Sequence, residues 1–114
     1  MKYVNLEYLH ELSGNDKDFE KIMMEQFVQQ APQELSALHT AVEQNDLGGA
    51  KKIAHSLKST VSYMGLAPEL YPSLEGIEKA ALAADASTIS EKFNHVRLVT
   101  EEAVKEIVIL LKEP

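Results

Sequence analysis

Apolar residues recur every three or four positions along most of the chain, which is the period of an α-helix. No stretch alternates between apolar and polar residues for long enough to predict a β-strand. Glycine and short polar segments interrupt the helical pattern and mark its connections. The pattern predicts a short opening helix near 6–12, a helical arm from about 17 to 43, a third helix over about 47–64, a fourth over about 73–84 and a last one over about 87–112.

Proline, aspartate and glycine mark the ends of these helices. Pro32 either kinks one long helix or lies in the first turn of a new one. Pro72 is predicted to separate a short turn at 68–71 from the main fourth helix. Asp16 and Asp46 are suitable N-caps, and Gly65 is a suitable left-handed end for the third helix.

These elements predict an all-α fold. Long amphipathic helices joined by short polar connections pack most simply as an antiparallel four-helix bundle, here with a short N-terminal accessory helix. The 114 residues contain no internal repeat, so we expect residues 1–114 to form a single domain. The leading Met1 and the lack of a linker-like tail favour a whole protein over a fragment.

The third helix has two opposite faces. On a helical wheel the apolar side is separate from the side of His55, so His55 is predicted to face solvent. The residues near His55 on the wheel are Gly48, Lys51, Lys52, Lys58, Ser59 and Ser62. Those opposite are Ala50, Ile53, Leu57, Thr60, Val61 and Met64.

Two apolar residues of the second helix have no obvious partner. Phe19, Ile22 and Phe27, together with Met23, are predicted to share the buried face. Met24 and Val28 fall outside that face. Either the short first helix covers them, or they form an exposed apolar patch that docks a partner.

Composition and charge limit the possible partners. The formal net charge of −7 argues against nucleic acid and anionic membranes as main partners. No acidic residue occurs between Leu47 and Pro68, a segment that contains three lysines. Unless this spacing is chance, it predicts a local basic patch that attracts an anion or an acidic pocket.

Several classes of protein are disfavoured. The absence of cysteine excludes disulfides and thiolate metal sites and is compatible with a reducing compartment. There is no signal peptide and no apolar run near the roughly 18 residues of a membrane span, so we expect a cytoplasmic monomer. Phosphate-loop, dinucleotide-binding and serine-nucleophile motifs are missing, and the single Glu-x-x-His, from Glu7 to His10, is too little for a di-iron bundle. We therefore predict neither an enzyme nor a metal site, and any phosphate must come from another protein.

The segment from His55 to Leu66 resembles the motif of the histidine-containing phosphotransfer (HPt) domain family. That motif is histidine, any residue, leucine, lysine and glycine, followed by five variable residues and a second glycine, which is Gly65 here. The resemblance extends over nearly the whole chain. Further matching positions are Leu6 to Gly14, Asp16, Phe19, Phe27, Ala31-Pro32, Asp46, Ala54-His55 and Leu74-Glu75.

The resemblance implies a mechanism and partners. His55 would be the phosphoacceptor, whose Nε2 attacks the phosphoaspartate of a response-regulator receiver domain, and the group would pass to the aspartate of a second receiver. Lys58 would stabilise the phosphate. A hybrid sensor histidine kinase would be a further partner, and Mg²⁺ would sit on the receiver, so no cofactor is expected on this chain. The residues expected to dock the receiver or to control its access are Lys51, Lys52, Ser59, Ser62, Met24 and Val28.

One position departs from the family pattern. Ser59 stands where the family usually has glycine, four residues after the histidine, and its hydroxymethyl group adds bulk beside the imidazole. We expect activity to survive, with a possible change in partner choice or transfer rate. Two alternatives stay open: an adaptor that binds receivers without accepting phosphate, and a helical bundle with an unrelated role such as binding a metal or a partner helix.

Overall fold

The computed structural model describes residues 1–113, and Pro114, the last residue of the predicted domain, lies outside the described residues. The described part of the chain contains five α-helices and no strand, which confirms the all-α prediction. The helices are α1 (Glu7–Ser13), α2 (Lys17–Glu43), α3 (Leu47–Ser62), α4 (Ala67–Leu82) and α5 (Ala86–Lys112). None of these helices combines the length and apolarity that crossing a bilayer requires.

The prediction that Pro72 breaks the fourth helix is wrong. Pro72 lies in the second turn of α4, which is continuous from Ala67 to Leu82. Proline lacks the N–H that would bond the preceding turn, at a cost of about 3 kcal/mol. Leu70 and Leu74 on either side of it are fully buried, and burying two leucines offsets a cost of that size. Pro32 likewise lies inside the single helix α2.

The four long helices enclose one hydrophobic core. Each contacts its neighbour in the closed order α2, α3, α4, α5 and back to α2, whereas the short α1 packs on α2. Each long helix supplies at least one fully buried aliphatic side chain, for example Leu38, Leu57, Leu74 and Ile107. The antiparallel direction of the four helices stays a prediction that rests on their short connections.

The predicted buried face of α2 is wrong at its N-terminal end. Phe19 and Ile22 are exposed, whereas Met24 and Val28 are half-buried and pack against the core. The physical reason is that α2 is one helix. When the wheel continues through Pro32, Met24 falls on the same side as the buried Ala31, Leu35 and Leu38. Met24 and Val28 therefore pack against the core and are half-buried, and their role in docking stays a prediction.

The segment before α1 ties two of the long helices together. The backbone N–H groups of Tyr3 and Val4 donate to the carboxylate of Glu106 on α5. The N–H of Asn5 donates to the carbonyl of Met64, just after α3, at 3.0 Å. The start of the chain thus closes the end of the bundle where α3 finishes.

A glutamate on α2 holds α1 in place. Glu20 is buried, and its carboxylate accepts from Ser13 Oγ at 2.6 Å and lies 2.9 Å from His10 Nδ1. The hydrogen bonds from His10 and Ser13 lower the pKa of Glu20. Because that pKa is depressed, this contribution to stability is present above the ordinary carboxylate range and is lost as the pH falls through the folded-state pKa.

Gly65 allows the close approach between the end of α3 and the N-terminal segment. Its φ of 77° is left-handed, and a Cβ on this residue would collide with the backbone carbonyl of Asn5. Gly14 at the end of α1 has a similar φ of 63°, but a Cβ there would meet no atom within 4 Å. The two glycines therefore share a backbone requirement and differ in packing.

Replacing these glycines separates the two effects. Gly14→Ala is expected to lower the free energy of unfolding by about 1 kcal/mol, the cost of a left-handed alanine. Gly65→Ala is expected to cost about 3 kcal/mol, because overpacking against Asn5 adds to that cost. Urea unfolding followed by far-UV circular dichroism measures both. Equal losses for the two variants would contradict the proposed contact with Asn5.

Candidate functional site

His55 has an exposed side chain, whereas neighbouring residues on the same helix are buried. Its imidazole on α3 is 76% exposed. The residue before it, Ala54, is fully buried, and so is Leu57 two positions later. Asp46 caps the start of the helix by accepting from the N–H of Gly49 at 3.0 Å, and Gly65 ends it. The imidazole is thus presented to solvent from a helix fixed at both ends and along its inner face.

Two glutamates of α4 reach the same region of the surface. Lys58 Nζ lies 2.9 Å from Glu78 Oε1 and 4.0 Å from Glu75 Oε1. The Nδ1 atom of His55 lies 3.7 Å from the same Glu78 oxygen. His55 and Lys58 are therefore linked through one carboxylate, which our sequence interpretation did not identify because it considered α3 alone.

The position of Glu78 distinguishes the two nitrogens of the imidazole. Its Oε1 atom is shielded from solvent and, among the described residues, makes no hydrogen bond of regular geometry. At 3.7 Å the contact with Nδ1 is longer than a hydrogen bond, yet the negative charge favours a proton on that nitrogen. A proton on Nδ1 leaves the lone pair of a neutral imidazole on Nε2.

The local basic patch predicted from the sequence is only partly present on the surface. The segment from Leu47 to Pro68 contains no acidic residue, but acidic residues of other helices lie next to it in the folded chain. These are Glu75 and Glu78 of α4 and Glu34 of α2. Lys58 is only 21% exposed and is shared by two carboxylates. Lys51 and Lys52 are exposed and, within residues 1–113, pair with no acid.

A groove of about 510 Å³ runs between α2 and α3 beside the histidine. Its α2 wall is apolar towards the N-terminus of the helix and polar further along. The lining residues from α2 are Met23, Gln26, Phe27, Gln30, Gln33 and Glu34, and those from α3 are His55, Ser56, Ser59, Thr60 and Tyr63.

The hydroxyl groups around His55 are not equivalent. Ser56 and Thr60 both donate to the carboxylate of Glu34, and Ser62 Oγ donates to the carbonyl of Ser59 at 2.8 Å. Ser59 is exposed and lines the groove with His55, and its own hydroxyl has no acceptor among the described residues. Of these four hydroxyls, only that of Ser59 is free to donate to a group arriving at His55.

The two residues of α2 that the sequence suggested for docking lie outside this groove. Met24 and Val28 do not line the groove within the described part of the chain, because they turn towards the core. Met23 and Phe27 line it instead. No group of three or more possible metal ligands comes together within residues 1–113.

Comparison with known proteins identified one family. The family model described as "Hpt domain" matches residues 22–108, a span that includes His55, Lys58 and Glu78. No curated protein and no solved structure matched the chain.

Proposed function

The chain belongs to the Hpt domain family, and on that basis we propose that His55 accepts a phosphoryl group from the aspartate of one receiver domain and passes it to the aspartate of another. Domains of this family are phosphocarrier modules, and membership therefore gives the chain a phosphotransfer role in two-component signalling. Domains of this family interact with receiver domains and kinases. The relay from receiver to receiver, and a hybrid sensor kinase as its source, are the proposal.

The observation that supports this proposal is the exposed imidazole with Glu78 beside its Nδ1 atom. The Nε2 lone pair attacks the phosphorus of the phosphoaspartate in line, an N–P bond forms, and the P–O bond to the aspartate breaks. The aspartate leaves as a carboxylate. Nδ1 keeps its proton, so the ring carries positive charge that Glu78 offsets. In the second transfer a carboxylate oxygen of the new aspartate attacks the phosphorus, a P–O bond forms, the N–P bond breaks and Nε2 regains its lone pair.

In this proposal Lys58 stabilises the phosphoryl group on His55, and its ion pair with Glu78 supports that role. A phosphoryl group on His55 adds close to two negative charges one helix turn from Lys58, on the same face of α3. Lys58 Nζ already lies 2.9 Å from Glu78, so it is held near the imidazole before the phosphate arrives. Mg²⁺ is assigned to the receiver in this proposal, and the chain contributes the nucleophile and one cation.

Labelling from a phosphorylated receiver tests the acceptor. With Mg²⁺ present, the wild-type chain is expected to gain an acid-labile, alkali-stable label, and His55→Gln is expected to gain none. His39→Gln is the matched control, because His39 is an exposed histidine on α2 outside the groove, and its labelling rate should stay within about twofold. Label retained in His55→Gln would contradict the assignment, and saturable binding without any label would support the adaptor alternative.

The free hydroxyl of Ser59 is expected to prolong the lifetime of the phosphohistidine. One hydrogen bond to the phosphoryl group contributes about 1 kcal/mol, so Ser59→Ala should shorten the half-life by roughly threefold to tenfold. Ser62→Ala should change it by less than about twofold, since that hydroxyl already donates to the Ser59 carbonyl. Loss of label from purified phosphoprotein at neutral pH measures both half-lives. An unchanged half-life in Ser59→Ala would exclude this role.

A further inference from the structure

Glu34 places a carboxylate without a counter-ion in the wall of the groove. Its Oε2 atom accepts from Ser56 Oγ at 3.0 Å, and its Oε1 atom accepts from Thr60 Oγ1. Both donors are neutral. Within residues 1–113 no lysine, arginine or histidine lies within 4.0 Å of this carboxylate, although Glu34 is half-buried.

The Glu34 carboxylate can accept more hydrogen bonds than the two it accepts from Ser56 and Thr60. Each of its oxygens has a second lone pair, and two neutral donors compensate the partial desolvation of a charge less well than a cation does. Lys52 lines an adjoining groove together with Glu34, but the two form no ion pair. The site therefore presents negative charge and unused acceptor capacity to whatever enters the groove.

A phosphoryl group arriving at His55 makes this charge unfavourable. Ser56, which donates to Glu34, is the residue next to His55, so the incoming negative charge and the carboxylate occupy the same groove. Lys58 lies on the other flank and is already shared by Glu75 and Glu78. A cation brought by the partner would offset the repulsion.

The groove also has a direction. Its opposite end is formed by Met23, Phe27 and Tyr63 together with Gln26, and its partly exposed apolar side chains are those of Met23 and Tyr63, because Phe27 is buried. At a rise of 1.5 Å per residue, about 10 Å of helix separates Phe27 from Glu34. A partner that fills the groove would therefore meet partly exposed apolar side chains at one end and the carboxylate of Glu34 about two helical turns away.

We propose that Glu34 binds a cationic side chain of the receiver domain, while the Met23–Phe27 end of the groove takes an apolar side chain of the same receiver. This inference rests on the proposed function and adds the chemistry that orients the partner. Because the two ends of the groove differ, only one orientation of the receiver satisfies both, and receivers without a cation at this place are disfavoured.

The test compares variants of Glu34 in binding to an unphosphorylated receiver domain, the one that binds the wild-type chain most tightly in a panel. Glu34→Gln removes the charge, and Glu34→Asp keeps the charge but shortens the reach to Ser56 and Thr60. Glu25→Gln is the matched control, an exposed glutamate of the same helix outside the groove. Titration calorimetry gives the Kd at about 50 mM and about 500 mM NaCl, where screening is weak and strong, and thermal unfolding checks that each variant folds.

A docking charge predicts a salt-dependent pattern. Glu34→Gln should raise the Kd about fivefold to tenfold at low salt and less than about twofold at high salt, whereas Glu34→Asp and Glu25→Gln should stay within about threefold of wild type. An equal loss at both salt concentrations, or a loss in Glu34→Asp as large as in Glu34→Gln, would assign Glu34 to bracing α2 against α3 and overturn the proposal. Unchanged or tighter binding of Glu34→Gln would also overturn it. These results do not depend on labelling of His55, so the proposed function stands or fails separately.

Discussion

The burial of Ala54 and Leu57 determines where His55 can be. Both side chains are fully enclosed by the ring of long helices, so the helix cannot rotate without opening the core. The imidazole of His55 is exposed, but its backbone is held in place by these two buried neighbours. This arrangement suits a nucleophile that a partner approaches from solution. At the C-terminal end of α3, Gly65 has a left-handed backbone and the N–H of Asn5 donates to the carbonyl of Met64. These contacts fix the end of the helix that carries His55.

The charged groups on the two sides of His55 differ. On the α4 side, Glu78 links Lys58 with the Nδ1 atom of His55. On the α2 side, Glu34 is held by two hydroxyl groups and forms no ion pair within residues 1–113. The first arrangement prepares the imidazole and the lysine for a phosphoryl group. The second, in our proposal, leaves one charge for the receiver to satisfy.

The helical period predicted most of the fold from the sequence, including the exposure of His55 and the caps at Asp16 and Asp46. Its errors were at Pro72 and on the N-terminal part of α2. Pro72 was predicted to break the fourth helix but lies within α4. The buried face of α2 was assigned from residues before Pro32 alone, and Met24 was therefore left off the face that packs on the core. Glu34 and Glu78 could not be found in this way, because a wheel describes one helix, whereas these residues reach His55 from two others. The spacing of Glu75 and Glu78, one turn apart on α4, was the available sign in the sequence that a second helix could contribute acidic groups to the site.

The most direct test of this account is the identity of the phosphorylated atom. Long-range ¹H–¹⁵N correlation spectra of the ¹⁵N-labelled chain, phosphorylated by a receiver, distinguish a phosphoryl group on Nε2 from one on Nδ1. Because Glu78 favours a proton on Nδ1, the account predicts a single phosphohistidine at His55 with the N–P bond on Nε2. Phosphorylation on Nδ1, or on another residue, would contradict it.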